Sequence, residues 1–249
     1  MLLSAIHKPT GDKMKEISDN NRTILERQIT LIGEEATRRL INTSVCIIGL
    51  GGVGGYVTEM LARSGIGRLF LVDCDTVSKS NLNRQIIATT STVGLKKTDV
   101  MTKRVNDIAP ECHARSLDIF VTKDNAAEII KQSEADIIID CIDNVSAKVA
   151  IIASAKEQGK YVFSAMGAGN KLSISRYRIN DISKTHTCGL ARAVRKQLKD
   201  AGVEKVDVLW SDEPPVSIGQ RSPASISYMP SAAGLIIAEH IIKKIINGI

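Results

Sequence analysis

Aromatic residues are scarce in this chain: Phe, Tyr and Trp make up 3% of 249 residues, although 43% are hydrophobic. Any core must therefore be built from Ile, Val, Leu and Ala. No two of the five cysteines (Cys46, Cys74, Cys112, Cys141, Cys188) form a C-x-x-C pair, which argues against a structural zinc knuckle. His7, His113, His186 and His240 make no ligand pattern either. No run of about 18 apolar residues exists, so no transmembrane helix is expected. Met1 to Ile6 is too short for the apolar region of a secretion signal. Scattered cysteines fit a reducing compartment, and the expected location is the cytoplasm. Internal repeats and low-complexity tracts are missing as well. The net charge of +6 is moderate. It fits simple solubility as well as an anionic partner such as RNA, and decides nothing alone.

What the chain does have is concentrated between Thr43 and Arg84. Ser44 to Leu50 is a short, β-branched apolar run that reads as a buried strand. Gly49, Gly51 and Gly54 then spell G-x-G-x-x-G where that strand must turn. Tyr56 to Ser64 has helical character and stops at Gly65. Leu69 to Val72 is a second strand, closed by Asp73, nineteen residues beyond Gly54. Strand, glycine turn, helix, strand and acid form the dinucleotide-fold fingerprint. Its physics favours a phosphate: glycine lets the backbone come close, and the helix start offers unpaired N–H groups. The competing reading is a glycine turn that only packs helix on strand.

The rest alternates strand and helix. Residues 1 to about 20 are polar and aperiodic, and residues 1–22 are expected to be a flexible segment. Ile24 to Leu40 reads as a helix carrying Arg27. After Asp73 comes a polar, cap-rich stretch from Cys74 to Gln85. Helices are expected at Thr98–Ile108, Lys123–Lys131 and Ser146–Gln158, with strands at Cys112–Leu117, Asp136–Asp140 and Tyr161–Ala165. Met166 to Asn170 is a second glycine-rich turn. Leu172–Ile179 suggests an antiparallel strand, Thr185–Ala201 a basic helix, and Val206–Trp210 a strand. Asp212–Arg221 reads as a mobile loop, and Ala232–Ile246 as a final apolar helix. This order predicts an α/β fold: a doubly wound, mostly parallel Rossmann-like sheet with antiparallel additions towards the C-terminus.

In such a fold the polar strand ends converge. Asp73, Asp75, Asn81, Arg84, Gln85, Lys97, Asp143 and Asn144 all fall at the carboxyl edge, beside Gly49, Gly51, Gly52 and Gly54. A bound dinucleotide has no evident need for both Arg84 and Lys97, whereas a triphosphate does. Asp143 or Asp75 is placed to hold a magnesium ion against phosphates. The alternative is a set of solvated loop charges.

At these residues the chain resembles the ubiquitin-activating enzyme superfamily, which includes the ThiF and MoeB proteins. The motifs are ERQI, GLGGVG, LVDCDTVSKSNLNRQ, VGLKK, CIDN and the GLIIAEHIIKKII tail. The resemblance implies one adenylating domain over 23–249, with 180–225 a basic helix and loop insertion. It implies ATP and magnesium, Asp73 on the ribose, and Asn81, Arg84 and Lys97 on the phosphates. It also implies Asp143 on the metal, and Arg27 reaching the partner's ATP in a homodimer. Within the superfamily IAPEC, DIFVTKDN, MGAGNKLS and DISKTHTCGLARAVRKQLK resemble the tRNA threonylcarbamoyladenosine dehydratase family. That implies ATP-dependent cyclisation of the threonylcarbamoyl group on tRNA. It also suggests cysteine desulfurase and sulfur-acceptor proteins as partners. MoeB and ThiF typically carry two C-x-x-C pairs, absent here. The competing activity is adenylation of a ubiquitin-like sulfur carrier. A non-enzymatic scaffold and an NAD-dependent oxidoreductase are further alternatives. Two readings stay open for Cys188, a thioester-forming thiol before a cationic helix or an ordinary loop cysteine. Arg176, Arg178 and residues 190–199 offer either a tRNA contact or a solvated basic face. Backbone carbonyls of Gly167–Asn170 suggest a K+ or Na+ site.

Overall fold

The computed structural model describes residues 14–216, 219 and 223–248. Seven strands form one sheet in the order β3-β2-β1-β4-β5-β7-β6. They are β1 (Ser44–Ile48), β2 (Arg68–Asp73), β3 (His113–Asp118), β4 (Ile137–Asp140), β5 (Tyr161–Ala165), β6 (Tyr177–Asp181) and β7 (Asp207–Ser211). All pairings are parallel except β6 with β7.

The strands alternate between two cores, as a sheet buried on both faces must. Val45, Ile47, Leu69, Leu71, Ile137, Ile139, Phe163 and Leu209 point into one. Cys46, Ile48, Phe70, Val72, Ile138, Val162, Val208 and Trp210 point into the other. The first face is covered by α4 (Gly54–Arg63), α5 (Lys97–Ile108) and α9 (Tyr228–Ile246), which bury Leu61, Met101 and Ile237. The second is covered by α6 (Ala126–Ser133), α7 (Val145–Glu157) and α8 (Gly189–Asp200), which bury Ile130, Ile151 and Val194. Among the described residues no helix is long and apolar enough to cross a membrane.

The sheet is wound outward in both directions from β1. Strands β2 and β3 lie on one side, β4 and β5 on the other. The connections leave β1 and β4 in opposite directions, so a crevice opens at their carboxyl ends.

The N-terminal region departs from expectation. Helix α1 (Asp19–Ile24) begins inside the stretch read as aperiodic. Ser18 caps it, and Ser18, Asn20 and Asn21 all donate to the Glu111 carboxylate. Residues 1–13 of that stretch lie outside the described residues. The single helix expected at 24–40 is two, α2 (Glu26–Ile32) and α3 (Glu34–Ile41). Gly33 separates them with φ at 82°, a backbone state that ends a helix and suits glycine. Leu25 is buried against Gly65 instead of continuing a helical face.

Smaller shifts have equally local causes. A 3-10 turn at Ile174–Arg176 takes the start of the expected 172–179 strand, so β6 begins at Tyr177. Helix α8 begins at Gly189, because Ile182–Lys184 form a 3-10 turn and Thr187 takes a positive φ of 62°. Helix α9 starts four residues early and carries Pro230 in its first turn, where no N–H partner is needed. In the expected 212–221 loop, Ser217, Ile218, Gln220 and Arg221 lie outside the described residues.

Candidate functional site

The crevice at the ends of β1 and β4 is a cavity of about 860 Å³. The glycine turn forms its floor. Gly49 has φ at 94°, and a Cβ there would lie 3.0 Å from the Cys141 carbonyl. A Cβ on Gly54 would sit 1.8 Å from the Gly49 carbonyl oxygen. These two glycines set the turn and the packing of α4, and Gly54 does not line the cavity. Gly51 and Gly52 do line it. A Cβ on Gly51 would meet only the Gln85 side chain, 3.8 Å away, so its missing side chain leaves open space for a ligand.

Asp73, Asp75 and Lys97 form the wall beyond β2. The Asp73 carboxylate accepts the Leu50 N–H at 2.6 Å and the Asp75 N–H at 2.8 Å. Each oxygen keeps a free lone pair towards the cavity, enough for a hydroxyl. Lys97 is the first residue of α5, where the helix end already carries partial positive charge. It is buried, and its Nζ donates to Asp75 Oδ2 at 2.6 Å. Asp75 itself is largely exposed, its side chain at 61%. A buried ammonium at a helix start, bonded to the solvated Asp75 carboxylate and 3.9 Å from Asp73 Oδ1, suits an incoming anion.

The 78–85 stretch supplies the next donors. Asn81 Oδ1 accepts the Ser78 N–H, which leaves its amide NH2 to point elsewhere. Arg84 donates to the Ser80 carbonyl at 2.7 Å and to Asn83 Oδ1 at 3.0 Å. Those bonds use one guanidinium nitrogen. Gln85 is buried, and its Oε1 has no hydrogen-bond partner among the described residues. A buried unpaired acceptor costs stability unless a ligand supplies the donor.

Across the cavity, β4 ends at Asp140 and the chain turns through Asp143 and Asn144. Asp143 is exposed, and its carboxylate makes no hydrogen bond or ion pair among the described residues. A single free carboxylate lining the cavity could hold a magnesium ion, which is commonly bound through one or two carboxylates plus phosphate oxygens and water. Asn144 differs from expectation in one respect. Its Oδ1 caps α7 by accepting the Ala147 N–H at 3.0 Å, so only its NH2 is available to a nucleotide. Asp73, Cys74 and Asp75 also cluster within metal-ligand reach. They fit a metal poorly: the Asp73 oxygens accept backbone N–H groups and Asp75 holds Lys97. Burial and the two neighbouring carboxylates push the Cys74 thiol up, away from thiolate.

The cavity's far wall is apolar, with Val72, Ile119, Phe120, Val121 and Ile142. The second glycine-rich turn, Met166–Gly169, closes the opposite side with Pro223, Ala224 and Ser225. Asn170 ties these segments together, accepting the Ala224 N–H at 2.7 Å on its side chain and the Val216 N–H at 2.9 Å on its carbonyl.

Besides Gly54, two expected site residues lie elsewhere. Arg27 is exposed on α2 and does not line the cavity. Cys188 is buried at the N-terminus of α8, where its Sγ accepts the Ala191 N–H at 3.5 Å. It sits behind Gly167, separated from the cavity by that turn.

One group was missed in the sequence. Lys148 and Asp140 are both fully buried, with Nζ and Oδ2 2.8 Å apart. Ser164 also donates to that oxygen at 2.6 Å, and the Ile142 N–H donates to Asp140 Oδ1 at 3.2 Å. The network lies directly beneath the turn that carries Asp143. Lys148 is one of two lysines in the helix VSAKVAIIASAKE, and nothing local sets it apart from the exposed Lys156.

The fold and the cavity together define a nucleotide-binding protein of the dinucleotide-fold class, equipped with cations for a charged phosphate chain. Residues 25–248 match the family model described as the ThiF family. The chain belongs to that family. It is 37% identical over 236 residues to the tRNA threonylcarbamoyladenosine dehydratase of Bacillus subtilis, covering 88% of this chain and 92% of that one. The crystal structure of the Escherichia coli tRNA N6-threonylcarbamoyladenosine dehydratase in complex with AMP superposes with a TM-score of 0.89 at 34% identity. The match covers 94% of this chain and 98% of that one. The same Escherichia coli protein in complex with ATP gives a TM-score of 0.88 over the same shares at the same identity.

Proposed function

We propose that this chain is an ATP-dependent tRNA threonylcarbamoyladenosine dehydratase. It activates the threonylcarbamoyl carboxylate by adenylation and then closes the ring. The observation that carries this reading is the convergence of Arg84, Lys97 and Asp143 with the Gly51–Gly52 backbone around one cavity. Relatives of near-equal length with the same name, and a matching fold that binds AMP and ATP, support it.

The residues assign themselves by chemistry. The apolar wall of Val72, Ile119, Phe120 and Ile142 suits adenine, and Asp73 suits the ribose hydroxyls. The Gln85 acceptor also faces this cavity. The NH2 groups of Asn81 and Asn144 and the cations of Arg84 and Lys97 face the phosphates. Asp143 would hold a magnesium ion, which when bound shields phosphate charge. The substrate carboxylate attacks the α-phosphorus, a new P–O bond forms, and pyrophosphate leaves with the bonding pair. Arg84 and Lys97 stabilise the charge that develops on the transferring group and on pyrophosphate. An internal oxygen or nitrogen of the same substrate then attacks the acyl carbon and expels AMP. Holding both ends on one molecule gives that step a high effective concentration.

The remaining parts of this reading concern surroundings. Arg27 projects from α2 and would complete the site of a second copy in a homodimer. A K+ or Na+ ion has carbonyls to use at Gly167–Gly169, although the Asn170 carbonyl already accepts the Val216 N–H. Cysteine desulfurase and sulfur-acceptor proteins would be partners outside the catalytic cycle. A cytoplasmic setting suits a tRNA substrate and five free thiols.

The test is mass spectrometry of tRNA nucleosides after incubation with protein, ATP and magnesium. Loss of one water from threonylcarbamoyladenosine is the expected result. No mass change, together with pyrophosphate exchange stimulated by a small Gly-Gly-ending protein, would transfer the assignment to sulfur-carrier activation.

A further inference from the structure

Six cations on β6, α8 and the turn before β6 divide into two sets. Arg176 and Arg178 both pair with Asp212, at 2.5 and 3.2 Å. Arg195 donates to the Thr185 carbonyl and hydroxyl at 2.7 and 2.6 Å. These three are spent on local structure. Arg192, Lys196 and Lys199 are different. They are exposed, and none makes an ion pair or side-chain hydrogen bond among the described residues. Their spacing of four and then three puts them in one row along α8.

That row has a direction. Helix α8 starts at the cavity: Leu190 lines it, and the Cys188 cap packs against the Gly167 turn. The helix then runs away with Ala191, Val194 and Leu198 buried against the sheet. Arg192, Lys196 and Lys199 lie on the outward side, stepping away from the cavity mouth over roughly 10 Å at 1.5 Å per residue. The arrangement opposes helix stability. Like charges three and four apart repel by a few tenths of a kcal/mol per pair, and Arg192 lies near the positive end of the helix. A neutral face would make the better isolated helix.

We infer that the outward row Arg192–Lys196–Lys199 of α8 is a phosphate-tracking ridge that docks the tRNA backbone beside the catalytic cavity. The inference rests on the tRNA-modifying function proposed above. It adds the surface that holds the tRNA while its modified nucleotide enters. Cations along a backbone supply sequence-independent affinity with a strong salt dependence.

The test compares two triple charge reversals in the full chain, R192E/K196E/K199E and K123E/K131E/K156E. The second carries the same change in net charge on exposed lysines of the neighbouring α6–α7 region. Binding of tRNA bearing threonylcarbamoyladenosine is titrated across salt concentrations, with ATP affinity and thermal midpoint measured alongside. The expected result for the α8 variant is at least tenfold weaker tRNA binding and a slope against log salt lower by about 2 to 3, with ATP affinity and folding kept. The α6–α7 variant should lose much less. Equal losses in the two variants would reduce the effect to net charge and overturn the ridge. Unchanged binding in a folded α8 variant would overturn it too. Wild-type protein that neither binds nor dehydrates this tRNA would overturn the functional reading as well, a result the mutants cannot mimic.

Discussion

Lys97 and Lys148 both lie under the carboxyl edge of the sheet, each buried and each bonded to an aspartate, at 2.6 and 2.8 Å. The partners differ. Asp140 is as buried as Lys148 and is also bonded by Ser164 and the Ile142 N–H. Asp75 is mostly in water, and the other carboxylate near Lys97, Asp73, is farther off at 3.9 Å. The Lys148 pair is sealed and can only hold the fold. The Lys97 pair is half open, and a phosphate can take the place of Asp75. What a buried charge is for thus depends on how solvated its partner is, more than on its own burial.

The largest expected effect breaks the pairs by stability. Lys148→Met keeps the side-chain bulk but strands the Asp140 carboxylate in a dry site. We expect a loss of about 3–5 kcal/mol in urea unfolding. Lys97→Met leaves Asp75 free to rehydrate and removes a cation from a helix start, while Asp73, 3.9 Å away, keeps its two backbone N–H donors, so the loss should be smaller, about 1–2 kcal/mol. Similar losses for both would erase the distinction. Turnover sharpens it from the other side. Lys97→Met should cut the rate of tRNA dehydration by roughly 10²–10³-fold in a folded protein, the scale of losing one preorganised donor to developing charge. A folded Lys97→Met variant with near-normal turnover would show that Lys97 belongs with Lys148 as a structural lysine.

The contrast also explains what the sequence disclosed. That Gly49, Gly51, Asp73, Arg84, Lys97 and Asp143 line one cavity was legible because strand ends and glycine turns are local patterns. The alternating strands were legible for the same reason. Lys148 was not. Its role depends on Asp140 and Ser164 from two neighbouring strands, and nothing local distinguishes it from a solvated helix charge. Cys188 shows the converse. A cysteine ahead of a basic helix reads equally as a thioester-forming thiol or an ordinary loop residue, and only the structure shows it buried after Thr187 at φ 62°, capping α8. Gly33 splits the 24–40 helix because periodicity continued across a residue whose backbone does not.

A third titratable group, half-buried, sits at the opposite edge, and it has no strong ion-pair partner. The His240 ring packs on Phe163, 5.2 Å between centroids, and its Nε2 lies 3.2 Å from the Tyr161 hydroxyl. That hydroxyl donates to Asp207 at 2.7 Å, so the carboxylate reaches the imidazole only indirectly. Burial lowers the His240 pKa below the ordinary imidazole value of about 6.5. Asp207 and Glu239 pull it up and Lys244 pushes it down, and burial prevails. The folded state therefore protonates the ring less readily than the unfolded chain, which takes up a proton near pH 6.5. Below that pH the unfolded state binds more protons, so this contribution to stability is intact at pH 7.5 and is lost progressively as pH falls from 6.5 through the lower folded-state value. The effect should be the smallest of the three, a modest fall in thermal midpoint from pH 7.5 to 5.5 that is reduced in His240→Gln. An unchanged pH slope in His240→Gln would mean that other groups set the acid limit. It would also mean that burial without a charged partner carries less weight at this edge than the two lysine pairs suggest.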